Sequence, residues 1–240
     1  MDYISVGPRA AKSPKATERT VDHTRKAYLG IRNLMLHNEL APGQKIAYRD
    51  LAERLGMSQT PIIQALKWLE FQQLVRHEPH RGYFTAPVDP REVDEIYQTR
   101  ELIECALLGA TLARLDDAGL LSLQRALAEH HKASRERYLA ERLEKDMAFH
   151  LTLASLSDNR IQTRILADLF DLLYLKYGGR LLFSTSMTSA DSDHQELHEY
   201  ILARDLRGAR RTLSRHIRRV RRHVLRGLAQ ISAEKDRAGL

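Results

Sequence analysis

Residues 46–88 read IAYRDLAERLGMSQTPIIQALKWLEFQQLVRHEPHRGYFTAPV, and the fold turns on how this stretch is read. Asp50 to Leu55 make a turn and a half of helix that stops at Gly56, a glycine suited to ending a helix. Ser58 then stands as an N-cap candidate before Thr60-Pro61, and Ile62, Ala65, Leu66 and Leu69 follow at helical spacing. Two helices joined by a tight glycine-bearing turn make a helix-turn-helix, whose second helix can lie in a DNA major groove. Leu74-Val75-Arg76 and Tyr83-Phe84-Thr85 flank the polar turn His77 to Gly82, two short strands that form a wing. The stretch is read as a winged helix-turn-helix.

From Ala41 to Thr85 the pattern ApGqki-x4-LAerLGmSqTPi-x2-AL-x2-Le-x3-Lv-x6-GyfT resembles the DNA-binding domain of GntR-type bacterial transcriptional regulators. The resemblance implies DNA contacts from Arg49 and from the wing residues Arg81 and Gly82. It also marks departures. Gln59 and Ile63 stand where that family usually carries arginines, and Gln64 where it usually carries glutamate.

Working outward, the chain has 240 residues and a formal charge of +7 with a pI near 9.6. That length suits two domains, and the charge suits a polyanionic partner. The single cysteine, Cys105, excludes an internal disulfide, fits a reducing compartment and reads as a core residue beside Leu102, Ile103, Ala106 and Leu107. The longest apolar run, near Ile165 to Leu175, is interrupted by Asp168 and Asp171 and is too short for a bilayer. No signal-peptide core opens the chain. These features predict a soluble cytoplasmic protein without membrane contact.

Residues 1–20 read as a disordered basic arm, either a solvated tail or a segment touching DNA phosphates. The winged domain is expected over 21–87, with a supporting helix from Thr24 to His37. Asp89, Pro90 and Glu92 form a capping-box pattern that opens a second domain, expected over 88–232, with a tail at 233–240. Six segments of helical period cover Pro90 to Leu115, Ala118 to Arg135, Tyr138 to Ser157, Arg160 to Tyr177, Ser189 to Ala203 and Leu206 to Ile231. No strand pattern interrupts them, so the fold class is mainly α: a winged helix-turn-helix followed by an all-α bundle.

The second domain resembles the FCD-type effector domain of the FadR subfamily of GntR regulators. The residues that carry this are Asp94-Glu95-Ile96-Tyr97-x2-Arg100-x3-Glu104, Asp146-x2-Phe149-His150 and Ser157-x-Asn159. Further on come His194-x2-Leu197-x3-Ile201-x3-Asp205-x3-Ala209-x6-His216-Ile217. Asp146 and His150 are four apart and share a helix face, and a bundle can fold His194 and His216 against it. By spacing alone these residues read as core or surface positions. The resemblance at all four positions implies a metal site instead, and one carboxylate and three imidazoles suit a divalent transition metal, zinc first, with nickel, iron or manganese as alternatives. His198 and His223 are rival ligands, and His130-His131 read as solvent-face residues. The resemblance implies a small organic-acid effector and places Arg100 in its pocket, where a guanidinium can fork a carboxylate. A buried Arg100–Glu104 ion pair is the competing reading; Tyr97 and Asn159 are further pocket candidates, and Glu104 can be structural.

Ten arginines lie between Arg204 and Arg226. Ala209, Leu213, His216, Val220 and Val224 form an inward stripe there, so the arginines read as a solvated outer face. No catalytic motif accompanies the candidate metal ligands, so an enzyme is not expected. The expected function is a dimeric regulator on a near-palindromic double-stranded operator, a repressor by family resemblance. Ser58, Gln59, Thr60 and Gln64 would face bases or phosphates, and Lys67, Arg49 and Arg81 would hold phosphates or enter a groove. A metal-dependent hydrolase and a constitutive DNA binder are the alternatives.

Overall fold

The computed structural model describes residues 14–134, 139–176 and 188–238. Helix α1 (Pro14–Leu36) leads into strand β1 (Lys45–Ile46), helices α2 (Tyr48–Arg54) and α3 (Gln59–Phe71), and strands β2 (Val75–Glu78) and β3 (Gly82–Thr85). The turn between α2 and α3 closes as a Schellman motif. Met57 N–H donates to the Ala52 carbonyl and Gly56 N–H to that of Glu53, with Gly56 at φ +62°. Ser58 holds the N-cap position with extended backbone, but its side chain makes no capping hydrogen bond.

The sheet is antiparallel in the order β1-β3-β2, pairing Val75 with Thr85 and Ile46 with Tyr83. The two wing strands were expected; β1 was not, because two residues carry no periodicity. The core of this domain is built from Ala27 and Ile31 of α1, Leu51 of α2, and Ile62, Leu66 and Leu69 of α3, each under one-tenth exposed. Helix α1 begins at Pro14 rather than Thr24, so it takes up part of the stretch read as a disordered arm; residues 1–13 of that arm lie outside the described residues.

The second domain comprises α4 (Pro90–Arg114), α5 (Asp117–Ser134), α6 (Leu139–Ser155), α7 (Arg160–Asp171), a π-helical turn (Leu172–Lys176), α8 (Thr188–Leu202) and α9 (Leu206–Ala238). Each predicted helix is present within a few residues of its expected ends. Two differ in kind: the fourth gives way to the π turn at Leu172, and the last runs on to Ala238. The Gly178-Gly179 break lies outside the described residues, as do the last two residues of the expected tail. Asp89 caps α4 by accepting from Arg91 N–H, while Glu92 accepts from Lys176 Nζ at 2.5 Å. The far end of α4 is closed by Arg204, whose guanidinium donates to the Leu112 and Leu115 carbonyls at 2.7 and 2.8 Å.

Helix α9 packs along α4 and α8 with Ala209, Leu213, Ile217 and Val224 inward, as its stripe predicts. Several of its arginines are paired rather than merely solvated. Arg221 grips Asp94 with two nitrogens at 2.5 and 2.7 Å, Arg218 engages Glu101, and Arg215 engages Glu196 and Asp193. Cys105, read as core, is only half-buried, with its sulfur 4.0 Å from the Arg210 carbonyl and neighbouring Leu102 72% exposed. Burial, with Glu104 and Glu101 adding to it, pushes the Cys105 thiol up to about 12. Among the described residues no helix is long and apolar enough to cross a membrane.

Candidate metal centre and DNA-facing surface

Asp146 and His150 lie one turn apart on α6, and α8 and α9 bring His194 and His216 against them. One ligand atom from each of the four lies within 4.8 Å of all the others. His194 Nε2 stands 3.2 Å from His150 Nε2 and 3.6 Å from Asp146 Oδ1, and His150 Nε2 is 3.9 Å from the same oxygen. Two ligands bound at about 2.0–2.1 Å in tetrahedral array stand roughly 3.3 Å apart, so these separations suit one shared cation. The three imidazoles are buried.

The surroundings orient the ligands. His150 Nδ1 is 2.5 Å from Glu104 Oε2, and His216 Nδ1 is 3.3 Å from Asp193 Oδ2. A carboxylate at Nδ1 holds the ring proton there and leaves Nε2 as a lone pair for a metal. His194 Nδ1 is buried without a hydrogen-bond partner among the described residues. Burial would raise the Asp146 carboxyl, but His130, His150 and His194 overcome it and hold it well below the usual carboxylate range. Burial pushes His194 well below the ordinary imidazole value, with His216 adding to it. His216 is lowered by burial too, against the opposing pull of Asp193. An ionised carboxylate beside neutral imidazoles is the state a divalent cation requires.

Arg100 and Glu104 adopt the ion pair given above as the competing reading. Arg100 Nε donates to Glu104 Oε1 at 2.9 Å, with both side chains buried and the guanidinium 4.0 Å from the centre of the Phe170 ring. Glu104 therefore bridges Arg100 to the ligand His150. Burial would raise its carboxyl, and His150 and Arg100 more than offset this. The Tyr97 hydroxyl is buried without a hydrogen-bond partner among the described residues and lies within the electrostatic reach of Arg100 and Asp146. Asn159 is placed differently from expectation. It is the N-cap of α7, its Oδ1 accepting from Gln162 N–H and its amide donating to Gln162 Oε1.

Histidine placement also departs from the sequence reading. His130 is not on a solvent face: it is 6% exposed, its Nε2 lies 3.6 Å from Asp146 Oδ1, and its ring meets His194 edge-on at 4.3 Å. The signal was available, since Leu123, Leu127 and His130 share one helical stripe. His198 is buried but outside the cluster, as is half-buried His223, so α8 contributes His194. Asp193 and Tyr174 were missed. Tyr174 donates to Asp146 Oδ2 at 2.5 Å from within the run read only as apolar.

A void bordered by Glu104 and His150 is too narrow to admit a water molecule. A larger groove, about 710 Å³, lies on the opposite face of α6 and is lined by Leu151, Thr152, Arg160 and Arg164 among others, away from the cluster.

In the winged domain Ser58 at the N-cap of α3 is exposed, as are Gln59, Thr60 and Lys67 on α3 and Arg49 on α2. Gln64, expected to face bases, is half-buried, with its Oε1 accepting from Thr24 of α1 at 2.6 Å. Arg81 projects from the wing with 71% of its side chain exposed, pairing with Glu78 at 2.5 Å, and Gly82 takes φ +95°. The positive φ at Gly82 is a backbone state that other residues adopt at a cost.

A winged helix-turn-helix with an exposed α3 face, joined to a helical domain that encloses a His/Asp cluster, is the architecture of a DNA-binding transcription regulator. Comparison with known proteins agrees. The family model "Bacterial regulatory proteins, gntR family" matches residues 23–84, and the FCD domain model matches residues 95–219. An HTH-type transcriptional regulator from an unstable DNA locus of Streptomyces ambofaciens is 31% identical over 199 residues, covering 82% of each chain. The HTH-type transcriptional repressor GlaR of Escherichia coli is 25% identical, over 79% of this chain and 90% of its own. Among solved structures, E. coli McbR/YncC superposes with a TM-score of 0.76 at 20% identity, covering 85% of this chain and 97% of the other. The chain belongs to the GntR family of bacterial transcriptional regulators and carries an FCD domain. Its families and relatives are transcription regulators, not enzymes.

Proposed function

We propose that this regulator binds a near-palindromic operator as a homodimer, represses from it, and is released by a small carboxylate effector that binds at a divalent metal held by Asp146, His150, His194 and His216. The observation that carries this reading is the convergence of those four ligand atoms within 4.8 Å, with Glu104 and Asp193 orienting two of the imidazoles. Zinc suits the donor set best, since carboxylate and imidazole are ligands it takes, and its shell can expand beyond four. Held by these four residues, such a cation would supply Lewis acidity and could take a carboxylate oxygen as a further ligand. The family models and relatives are those of transcription regulators, which favours binding over turnover.

The Tyr97 hydroxyl supports the effector reading, since a buried phenol without a partner can donate to a ligand oxygen. Arg100 acts through Glu104 rather than as a free fork for the effector. On DNA, Ser58, Gln59 and Thr60 meet bases or phosphates at the start of α3, Lys67 and Arg49 hold phosphates, and Arg81 and Gly82 bring the wing to the backbone. Gln59 and Ile63, in place of arginines, remove two cationic contacts and shift base readout toward amide contacts with adenine. Repression is supported by relatives named as repressors, and a cytoplasmic location by the DNA partner.

Metal analysis of the purified chain beside Asp146→Ala and His216→Ala tests the site. About one equivalent of metal, lost in both variants, is the expected result. A wild-type chain that takes up no metal after reconstitution would remove the metal from this reading. Carboxylates that raise the melting temperature of the metal-loaded form then identify the effector class.

A further inference from the structure

The π turn Leu172–Lys176 is where the two hydrophobic cores meet. Tyr174 points into the helical domain and is 2% exposed, while the next residue, Leu175, is buried in the core of the winged domain. Leu172 packs against both cores. One residue before the turn, Asp171 receives the Arg32 guanidinium of α1 through two nitrogens, one of them at 2.6 Å. Two residues after Tyr174, Lys176 is tied to Glu92 at the start of α4. A five-residue stretch thus touches a candidate metal ligand at one position and the DNA-binding domain at its neighbours.

We propose that Tyr174 is a positioning residue through which the Asp146 cluster sets the placement of α1, and with it the recognition helix α3. The inference rests on the metal reading above and specifies how it is transmitted. The two oxygens of Asp146 are divided: Oδ2 accepts from Tyr174 at 2.5 Å, and Oδ1 faces His150 and His194 at 3.9 and 3.6 Å. Those latter distances exceed hydrogen-bond range, so Oδ1 is held near the imidazoles without being bonded to them. Shared ligands of one cation stand roughly 3.3 Å apart, so filling the cluster draws Oδ1 inward by a few tenths of an ångström. Tyr174 follows through its short bond to the same carboxylate.

The element that receives this displacement is suited to pass it on. The π turn follows directly on α7, and single π turns are frequent at functional sites. Leu175 and the Asp171–Arg32 pair then deliver the shift to α1. Helix α1 lies along α3 and is bonded to it through Thr24 and Gln64 at 2.6 Å. The coupling therefore has a contiguous packed route.

The test is hydrogen exchange on the full chain after chelation, with and without added zinc, reading α8 as the near-site control and α1 as the response. In the wild type, zinc should slow exchange several-fold in both. Tyr174→Phe keeps the ring packed on Phe170, at 5.5 Å between centres, and loses only the hydroxyl. It should still bind zinc and protect α8, while α1 no longer responds. Asp171→Asn, which leaves every ligand in place, should likewise keep the α8 response and weaken that of α1. A wild type that binds no zinc ends the metal reading and this inference together. A wild type that binds zinc with α1 unmoved, or an undiminished α1 response in both variants, overturns the inference alone. Should Tyr174→Phe lose zinc, Asp171→Asn decides, and an unchanged α1 response there overturns it.

Discussion

Replacing Glu104 with glutamine removes one charge from a buried ion pair in the helical domain. The Glu104 carboxylate is 2% exposed, and its two oxygens serve Arg100 and His150 at 2.9 and 2.5 Å. The Arg100 guanidinium is 3% exposed at the side chain and cannot shed its proton, so in Glu104→Gln it is left as a buried cation facing a neutral amide. Breaking a buried pair from one side costs about 3–5 kcal/mol. For a chain of this size each kcal/mol moves the midpoint by about 2–4 °C, so a fall of roughly 6–20 °C is expected. The melt is run with chelator present so that metal linkage does not enter.

Two comparisons separate the cause. Glu101→Gln alters a pair whose arginine, Arg218, is 64% exposed, and should leave the midpoint within experimental error. Adding Arg100→Met to Glu104→Gln removes the stranded cation and should restore most of the loss, since an apolar side chain of similar volume tolerates that site. A second readout follows from His150. Without the carboxylate at Nδ1 its tautomer is no longer imposed, and zinc affinity should fall about 10–100-fold. A Glu104→Gln midpoint within about 2 °C of wild type, under one kcal/mol, would refute the assignment of a charged, buried bridge.

Two further outcomes are expected. His198 is 7% exposed with its Nε2 unpartnered, and burial depresses its pKa against a small opposing effect of Glu199. The unfolded imidazole then takes up its proton first, so stability is full above the unfolded value of about 6.5 and declines as pH falls through it. His198→Gln should flatten the fall in melting temperature between about pH 7 and 5, and an unchanged slope would count against the assignment. Gly56 sits at φ +62° with open space around its Cα, so Gly56→Ala meets strain and no clash. It should cost about 1–2 kcal/mol in a denaturant melt, with Gly56→Asn costing less; equal losses for both would show that packing and not backbone conformation sets the requirement.

Much of the architecture is legible in the chain because it is written locally. The Schellman turn at Gly56, the stripe Ile62, Ala65, Leu66 and Leu69, and the alternation around Gly82 each lie within one or two turns of backbone. Their geometry follows from φ/ψ preference and periodicity alone. The same holds for Asp146 and His150, which any helix places on one face. What lies between elements is not written that way. A helical stripe about 100° wide admits both His194 and His198 on α8, and only the packing of α8 against α5 and α9 turns the first into the cluster. That packing also draws His130 inward to Asp146, sets Arg100 on Glu104, and commits Asn159 to capping α7. It brings Tyr174 to Asp146 through a π turn whose inserted residue no 3.6-residue period foretells. The sequence by itself determined the helices, the helix-turn-helix and the Asp146–His150 face, because those depend on neighbours in the chain. Which side chains meet at the centre, and which of them reach the DNA-binding domain, depends on helix rotation and crossing, and those are set by burial of the two cores against each other.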